Sequence, residues 1–152
     1  MENMTILVPV LGAVGLIFSL LIFFSIKRKD VGTEKMKEIM TAISEGAMAF
    51  LKREYISLFF FVVAVSVLLF IGINWQSGVS FLVGAVFSVL AGLIGMRAAT
   101  AANARTAQAA TKGQAQALDV AFSGGAVMGL SVASLGLLGL GVLYMIFVDL
   151  TD

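Results

Sequence analysis

The stretch Gly95–Leu130, GMRAATAANARTAQAATKGQAQALDVAFSGGAVMGL, decides how the rest of the chain is read. It leaves the end of one apolar run, crosses a polar arm and enters another. Between Ala98 and Thr111 it holds eight alanines, interspersed with Thr100, Asn103, Arg105, Thr106 and Gln108. Alanine is the best helix former, and no glycine or proline interrupts the arm, so it is predicted to stay helical outside the lipid. Small side chains on every side suit a helix packed tightly against neighbours.

Outward from this arm, the composition is that of a membrane protein. Of the 152 residues, 60% are hydrophobic and 12% charged, about half the usual charged share. Three runs lack any charge: Asn3–Ile26 with 24 residues, Tyr55–Met96 with 42 and Val120–Val148 with 29. A helix needs about 20 apolar residues to cross a bilayer, so the 42-residue run holds two crossings. Asn74-Trp75-Gln76-Ser77-Gly78 breaks it near the middle. The expected fold is all-α and polytopic, a single transmembrane segment over residues 1–152 with spans at about 4–26, 55–73, 79–96 and 120–147. The chain has no histidine and no cysteine, which removes imidazole and thiolate metal sites, thiol nucleophiles and disulfides.

The N-terminus lacks the basic start of a cleavable signal. Instead Lys27-Arg28-Lys29 follows the first apolar run. All ten Lys and Arg residues fall in two segments, seven within Lys27–Arg53 and three within Arg97–Lys112. Four helices place both segments on one side of the membrane. The other side carries Glu2, Asp149 and Asp152 and no basic residue, and the positive-inside rule then sets both termini outside.

Thr33 is a candidate helix cap, and Glu34 behind it suits the helix dipole. Met36, Ile39, Met40, Ile43, Ala47, Phe50 and Leu51 recur at helical spacing, predicting an amphipathic helix at about 34–53 on the cytoplasmic face. Glu34, Glu38 and Glu45 lie opposite that stripe. They suggest a magnesium site at first sight, but Lys35 and Lys37 interleave with them, as on any solvated face.

Gly84, Ser88 and Gly92 form a small-residue face on the third span. Gly125, Gly129 and Ala133, then Gly136 and Gly139, do so on the fourth, so these two helices are expected to pack closely, on each other in the simplest case. Phe-, Val- and Leu-rich helix 2 faces lipid, with Trp75 at the interface. Arg97, Arg105 and Lys112 share one helix flank. They read either as a basic wall drawing in an anionic phosphate substrate or, preferably, as topology anchors with a salt bridge to Asp119. The spans contain no ionisable residue with which to carry an ion. No Asp cluster, P-loop or triad is present for phosphoryl chemistry.

GMRAATAANARTAQAA, ALDVAFSGGAVMGL and LGLLGLG, with the earlier EGAMAFLKREY (Glu45–Tyr55), closely resemble the membrane-integral, ion-pumping pyrophosphatases. The likeness extends from about Thr33 to the end. It implies an enzyme of about sixteen membrane helices, usually a homodimer, that hydrolyses pyrophosphate with Mg2+ on the cytoplasmic side and drives H+ or Na+ outward, with K+ as a further possible cofactor. Its setting would be the plasma membrane of a prokaryote. The four helices here match the outer ring of that family. No catalytic, cofactor-binding or metal-binding residue is therefore carried over, and this chain alone is expected to be inactive. The implied partners are the lipid bilayer and the remaining helices of the pump, with no nucleic acid. The ending Val148–Asp152 has no finishing feature, so the chain is expected to be the N-terminal quarter of a pump. The alternative is a stand-alone, non-catalytic four-helix membrane protein acting as an interaction or structural partner.

Overall fold

In the computed structural model, which describes residues 2–149, the chain forms four long helices in sequence: α1 (Glu2–Arg28), α2 (Glu34–Gly72), α3 (Trp75–Ala110) and α4 (Gln114–Asp149). All four are apolar and long enough to cross a membrane, and no strand occurs among the described residues. Asp152, counted above on the side without basic residues, lies outside the described residues, as do Leu150 and Thr151 of the ending Val148–Asp152.

Helix length shows where the chain leaves the lipid. At 1.5 Å per residue α1 is about 40 Å long and the other three are about 54–58 Å, against a hydrocarbon core of about 30 Å. At one end Trp75 and Phe147 stack edge-on, 5.5 Å apart, so α3 starts level with the end of α4 there. Their excess length must project at the other end, where the basic residues are. The alanine arm is thus helical to Ala110 and α4 resumes at Gln114, as expected. The amphipathic stretch 34–53 is also helical, and it runs without a break into the second span as the first half of α2.

Local chemistry explains the breaks. Thr33 caps α2, its hydroxyl accepting from the Met36 N–H at 3.3 Å, and Asn74 caps α3 by accepting from Ser77 N–H at 2.8 Å. The α1–α2 and α3–α4 connections each need a positive φ, supplied by Gly32 (94°) and Gly113 (147°).

The helices lie side by side as an open layer in the order α2, α3, α4, α1. α4 is the spine, flanked along its length by α1 and α3, while α2 packs along α3 only. Buried share follows position: 28% of the apolar window of α4 and 6% of that of α2. A soluble monomer of this mass exposes about 7400 Å², whereas this chain exposes 9814 Å². The core sits at the basic end, where Ile26 of α1, Ala98 and Ala102 of α3 and Val120 and Val127 of α4 meet.

Close approach relies on glycines other than those the small-residue spacing singled out. A Cβ on Gly12 would lie 2.7 Å from the Ser134 carbonyl oxygen and 2.9 Å from the Leu138 nitrogen. One on Gly141 would lie 2.6 Å from Pro9 Cδ, and one on Gly124 would lie 2.8 Å from Ala102 Cβ. Gly84, Gly125, Gly129 and Gly136 face open space. Of the expected set, Gly92 lies close to the Tyr55 hydroxyl and Gly139 close to Phe87. Between these contacts, the Ser19 hydroxyl donates to the Val127 carbonyl at 2.9 Å and accepts from Ser131 at 2.7 Å, joining α1 to α4 inside the apolar layer.

Gly12→Val is therefore expected to force α1 off α4 and to cost about 1–3 kcal/mol by overpacking. Gly125→Ala, with no neighbour within 4 Å, should be neutral or stabilising because alanine is the better helix former. Thermal unfolding of the two variants in detergent checks this. Equal melting temperatures would refute the close α1–α4 contact.

Candidate functional site

The polar groups of the structure converge at the basic end, where α1 stops. Its last carbonyls have no intrahelical partner and must be satisfied from elsewhere. Arg105, projecting from the arm of α3, does this. Its Nε donates to the Lys29 carbonyl at 3.0 Å, Nη2 to the Lys27 carbonyl at 3.1 Å and Nη1 to its own Ala101 carbonyl at 2.7 Å. Nη1 also lies 3.7 Å from Met40 Sδ on α2. The guanidinium has five donors in a planar fork, so one side chain joins α1, α2 and α3 while placing positive charge at the α1 C-terminus. Arg105 is 9% exposed.

This revises the reading of the basic flank. Arg97 and Lys112 are exposed, but Arg105 is turned inward and its donors are occupied by backbone carbonyls. Asp119 pairs with Lys29, just past the end of α1, rather than with any member of the flank. Sequence spacing along one helix cannot show that another helix ends beside it and claims these groups.

The link residues 29–33 complete the site. Asp30 accepts from the Gly32 N–H at 3.0 Å and from Gln108 Nε2 at 3.4 Å. The Gly32 hydrogen bond above all, then Lys112, Gln108 and the Val31 N–H, hold the Asp30 carboxyl below its ordinary range. A cleft of about 570 Å³ remains, lined by Lys29, Asp30, Arg105, Gln108, Lys112 and Asp119. Its charges are mixed, and its strongest cation is already bound to carbonyls, so it offers no uniform field for an anion.

Glu34 and Glu38 pair with Lys37 and Lys35, at 2.6 and 2.9 Å. Among the described residues no three carboxylates gather closely enough to hold a metal ion. Arg105 was picked out in the sequence only as one of three residues on a basic flank, read as a wall or, preferably, as topology anchors. Lys29, Gln108 and Met40 were read only as members of the basic cluster, the arm and the apolar stripe, although Gln108 stands one turn beyond Arg105 on the same face. The Ser19–Ser131 pair was also missed, because serines on separate helices carry no mutual signal in one sequence.

A second feature is the groove between α3 and α4, about 1210 Å³ in volume. Gly84, Ser88 and Gly92 of α3 and Gly136 and Gly139 of α4 line it together. The α3 face and the Gly136–Gly139 part of the α4 face thus look into one shared space, which Thr5 and Val8 of α1 and the bulkier Met128, Leu140 and Tyr144 also line, and Phe87 lies against Gly139.

A family model described as inorganic H+ pyrophosphatase matches residues 13–152. The chain is 48% identical over 136 residues to the K(+)-stimulated pyrophosphate-energized sodium pump of Thermotoga maritima, covering 88% of this chain and 19% of that protein. It is 40% identical over 151 residues to the K(+)-insensitive pyrophosphate-energized proton pump of Methanosarcina mazei, covering 98% of this chain and 22% of that protein. The chain spans about a fifth of the length of these curated relatives.

Arg105→Lys keeps the charge but not the fork, and should cost about 1–3 kcal/mol by leaving carbonyls of α1 unsatisfied. Faster tryptic cleavage at Lys27–Lys29 is the expected readout, with exposed Arg97→Lys unchanged. Because the Asp30 carboxyl is depressed in the folded chain, its contribution is full above about pH 4 and is lost as pH falls through the folded value. The melting-temperature gap between the native chain and Asp30→Asn should therefore close below that pH.

Proposed function

The chain belongs to the inorganic H+ pyrophosphatase family, and from that premise we propose that it forms four membrane helices of a pyrophosphate-energised ion pump. The observation that carries this reading is the match over residues 13–152, with relatives at 40–48% identity that are themselves such pumps. The activity is the Mg2+-dependent hydrolysis of pyrophosphate coupled to movement of H+ or Na+. The relatives include both K(+)-stimulated and K(+)-insensitive pumps, so K+ is a candidate cofactor.

Within that pump these helices act as scaffold. Their spans carry no Asp, Glu, Lys, Arg or His, and ion transfer through hydrocarbon needs such groups. Their described carboxylates do not fit a magnesium–pyrophosphate site, so no step of the hydrolysis is placed on them. The basic end faces the cytoplasm, in keeping with a ten-to-zero split of Lys and Arg. That orientation in a prokaryotic plasma membrane, a homodimeric pump and contact with the remaining helices complete the proposal.

Immunopurification from the source membrane with an antibody against residues 27–53 tests this. Magnesium-dependent pyrophosphatase activity should co-purify, whereas the 152-residue polypeptide reconstituted alone should hydrolyse none. Activity of that polypeptide alone would overturn the scaffold role. Absence of activity from the native preparation would instead favour a non-catalytic four-helix protein.

A further inference from the structure

We propose that Met40 is a redox-responsive modification site: a peroxide oxidises its thioether to the sulfoxide, which Arg105 then holds, tightening α2 onto the arm of α3.

The surroundings of the guanidinium point to this residue. Nε and Nη2 of Arg105 donate to the Lys29 and Lys27 carbonyls, and Nη1 donates to the Ala101 carbonyl. Those three acceptors belong to the backbone, and the helices fix them. The fourth is Met40 Sδ, 3.7 Å from Nη1. A thioether is only a weak acceptor, so the second Nη1 hydrogen of a buried arginine is matched by a weak partner. It is also the one acceptor in the cluster whose strength ordinary chemistry can change.

Oxidation makes that change. The sulfoxide is polar, and a hydrogen bond to its oxygen from a guanidinium is charge-assisted. The spacing already suits it. With an oxygen on sulfur accepting at ordinary length, and the bond bent at oxygen, sulfur and nitrogen stand about 4 Å apart. The observed separation is close to this, so the oxygen enters without prising α2 from the arm. Oxidised methionines usually disrupt a core because the new dipole meets apolar neighbours; here it meets a cation.

The sulfur is also reachable. Met40 is half-buried and lies level with the end of α1, at the basic end of the molecule rather than in an apolar span. The step is an oxygen-atom transfer. A sulfur lone pair attacks one oxygen of hydrogen peroxide, and the S–O bond forms as the O–O bond breaks. The departing hydroxide takes the proton left on the transferred oxygen and becomes water. Sulfur is thereby oxidised by two electrons and the peroxide reduced by two, and a methionine sulfoxide reductase reverses the change. α2 is the helix on which such a tie is felt most. It packs along α3 only, and 6% of its apolar window is buried against 28% of that of α4.

Native membranes are treated with dilute hydrogen peroxide, quenched, and digested briefly with trypsin. Cleavage at exposed Lys35 and Lys37, in the first turn of α2, requires that turn to open and is the readout. Full digestion after denaturation places Met40 in the peptide Glu38–Lys52, where fragmentation distinguishes it from Met48. The expected result is sulfoxide at Met40 and brief cleavage slowed about tenfold, the factor one charge-assisted hydrogen bond supplies, with the original rate restored by sulfoxide reductase. Met40→Leu conserves the volume but offers no acceptor, and peroxide should not slow its cleavage. Met40→Gln carries an amide oxygen in place of the sulfoxide and should be cleaved slowly without peroxide. A Met40 that stays reduced, faster cleavage after oxidation, or equal slowing in Met40→Leu would each overturn the proposal. So would a Met40→Gln chain cleaved as fast as the native one.

Discussion

The structure depends on how closely α1 can approach α4. Hydrocarbon provides no hydrophobic drive between helices, because lipid tails are as apolar as leucine. What remains is dispersion at short range and the few hydrogen bonds that hydroxyls can make. Gly12, Gly15 and Gly141 bring backbone against Ser134, Leu138 and Pro9, and Ser19–Ser131–Val127 adds a fully buried polar tie at the middle of the seam. Pro9 is accommodated for the same reason: its ring occupies the space that the absent side chain of Gly141 leaves. With α1 fixed on α4, its C-terminus is delivered to the point where Arg105 can reach it.

The basic end is held differently because water reaches it. There the core of Ile26, Ala98, Ala102, Val120 and Val127 excludes solvent, and Arg105 closes over it. A guanidinium buried to this degree carries a desolvation cost, which three carbonyl acceptors offset. The same arm supplies both parts. Its alanines, small enough to allow Gly124 against Ala102, set the helix spacing that lets a long arginine cross between α1 and α2. The alanine-rich composition and the single inward arginine are thus two sides of one packing solution.

Span number, the all-helical class, the helical arm and the Thr33 cap were legible in the sequence, because each follows from a property of a local window. Uncharged length sets a crossing, alanine content sets helicity, and a hydroxyl before a helix sets a cap. The unbroken α2 was less legible. The amphipathic and apolar stretches have different compositions, but no Gly, Pro or cap separates Arg53 from Tyr55, and helix propagation is favourable once begun. The pairing of faces could not be read. Gly84/Ser88/Gly92 and Gly125/Gly129/Ala133 have the spacing of packing faces, yet Gly12, Gly15, Gly95, Gly124 and Gly141 lie closer to a neighbouring helix than any glycine of those faces. Spacing shows that a face is smooth; which neighbour lies against it depends on the other helices. The Asp119 partner was missed for the same reason, since Lys29 arrives from ninety residues away.

An open layer of four helices has two faces, and the chain treats them unequally. α1 and α2 turn Phe18, Phe24, Phe60 and Leu68 outward, surfaces that any lipid can cover. α3 and α4 share a groove in which glycines and Ser88 stand among Phe87, Leu140 and Tyr144. The same asymmetry fits the proposed division of labour. Several hydroxyls here close on carbonyls or on each other, as in Ser19–Ser131 and Thr100–Met96. In a pump built this way, these helices would fix the position of their neighbours, and the charged groups that move ions would stand on the helices so positioned.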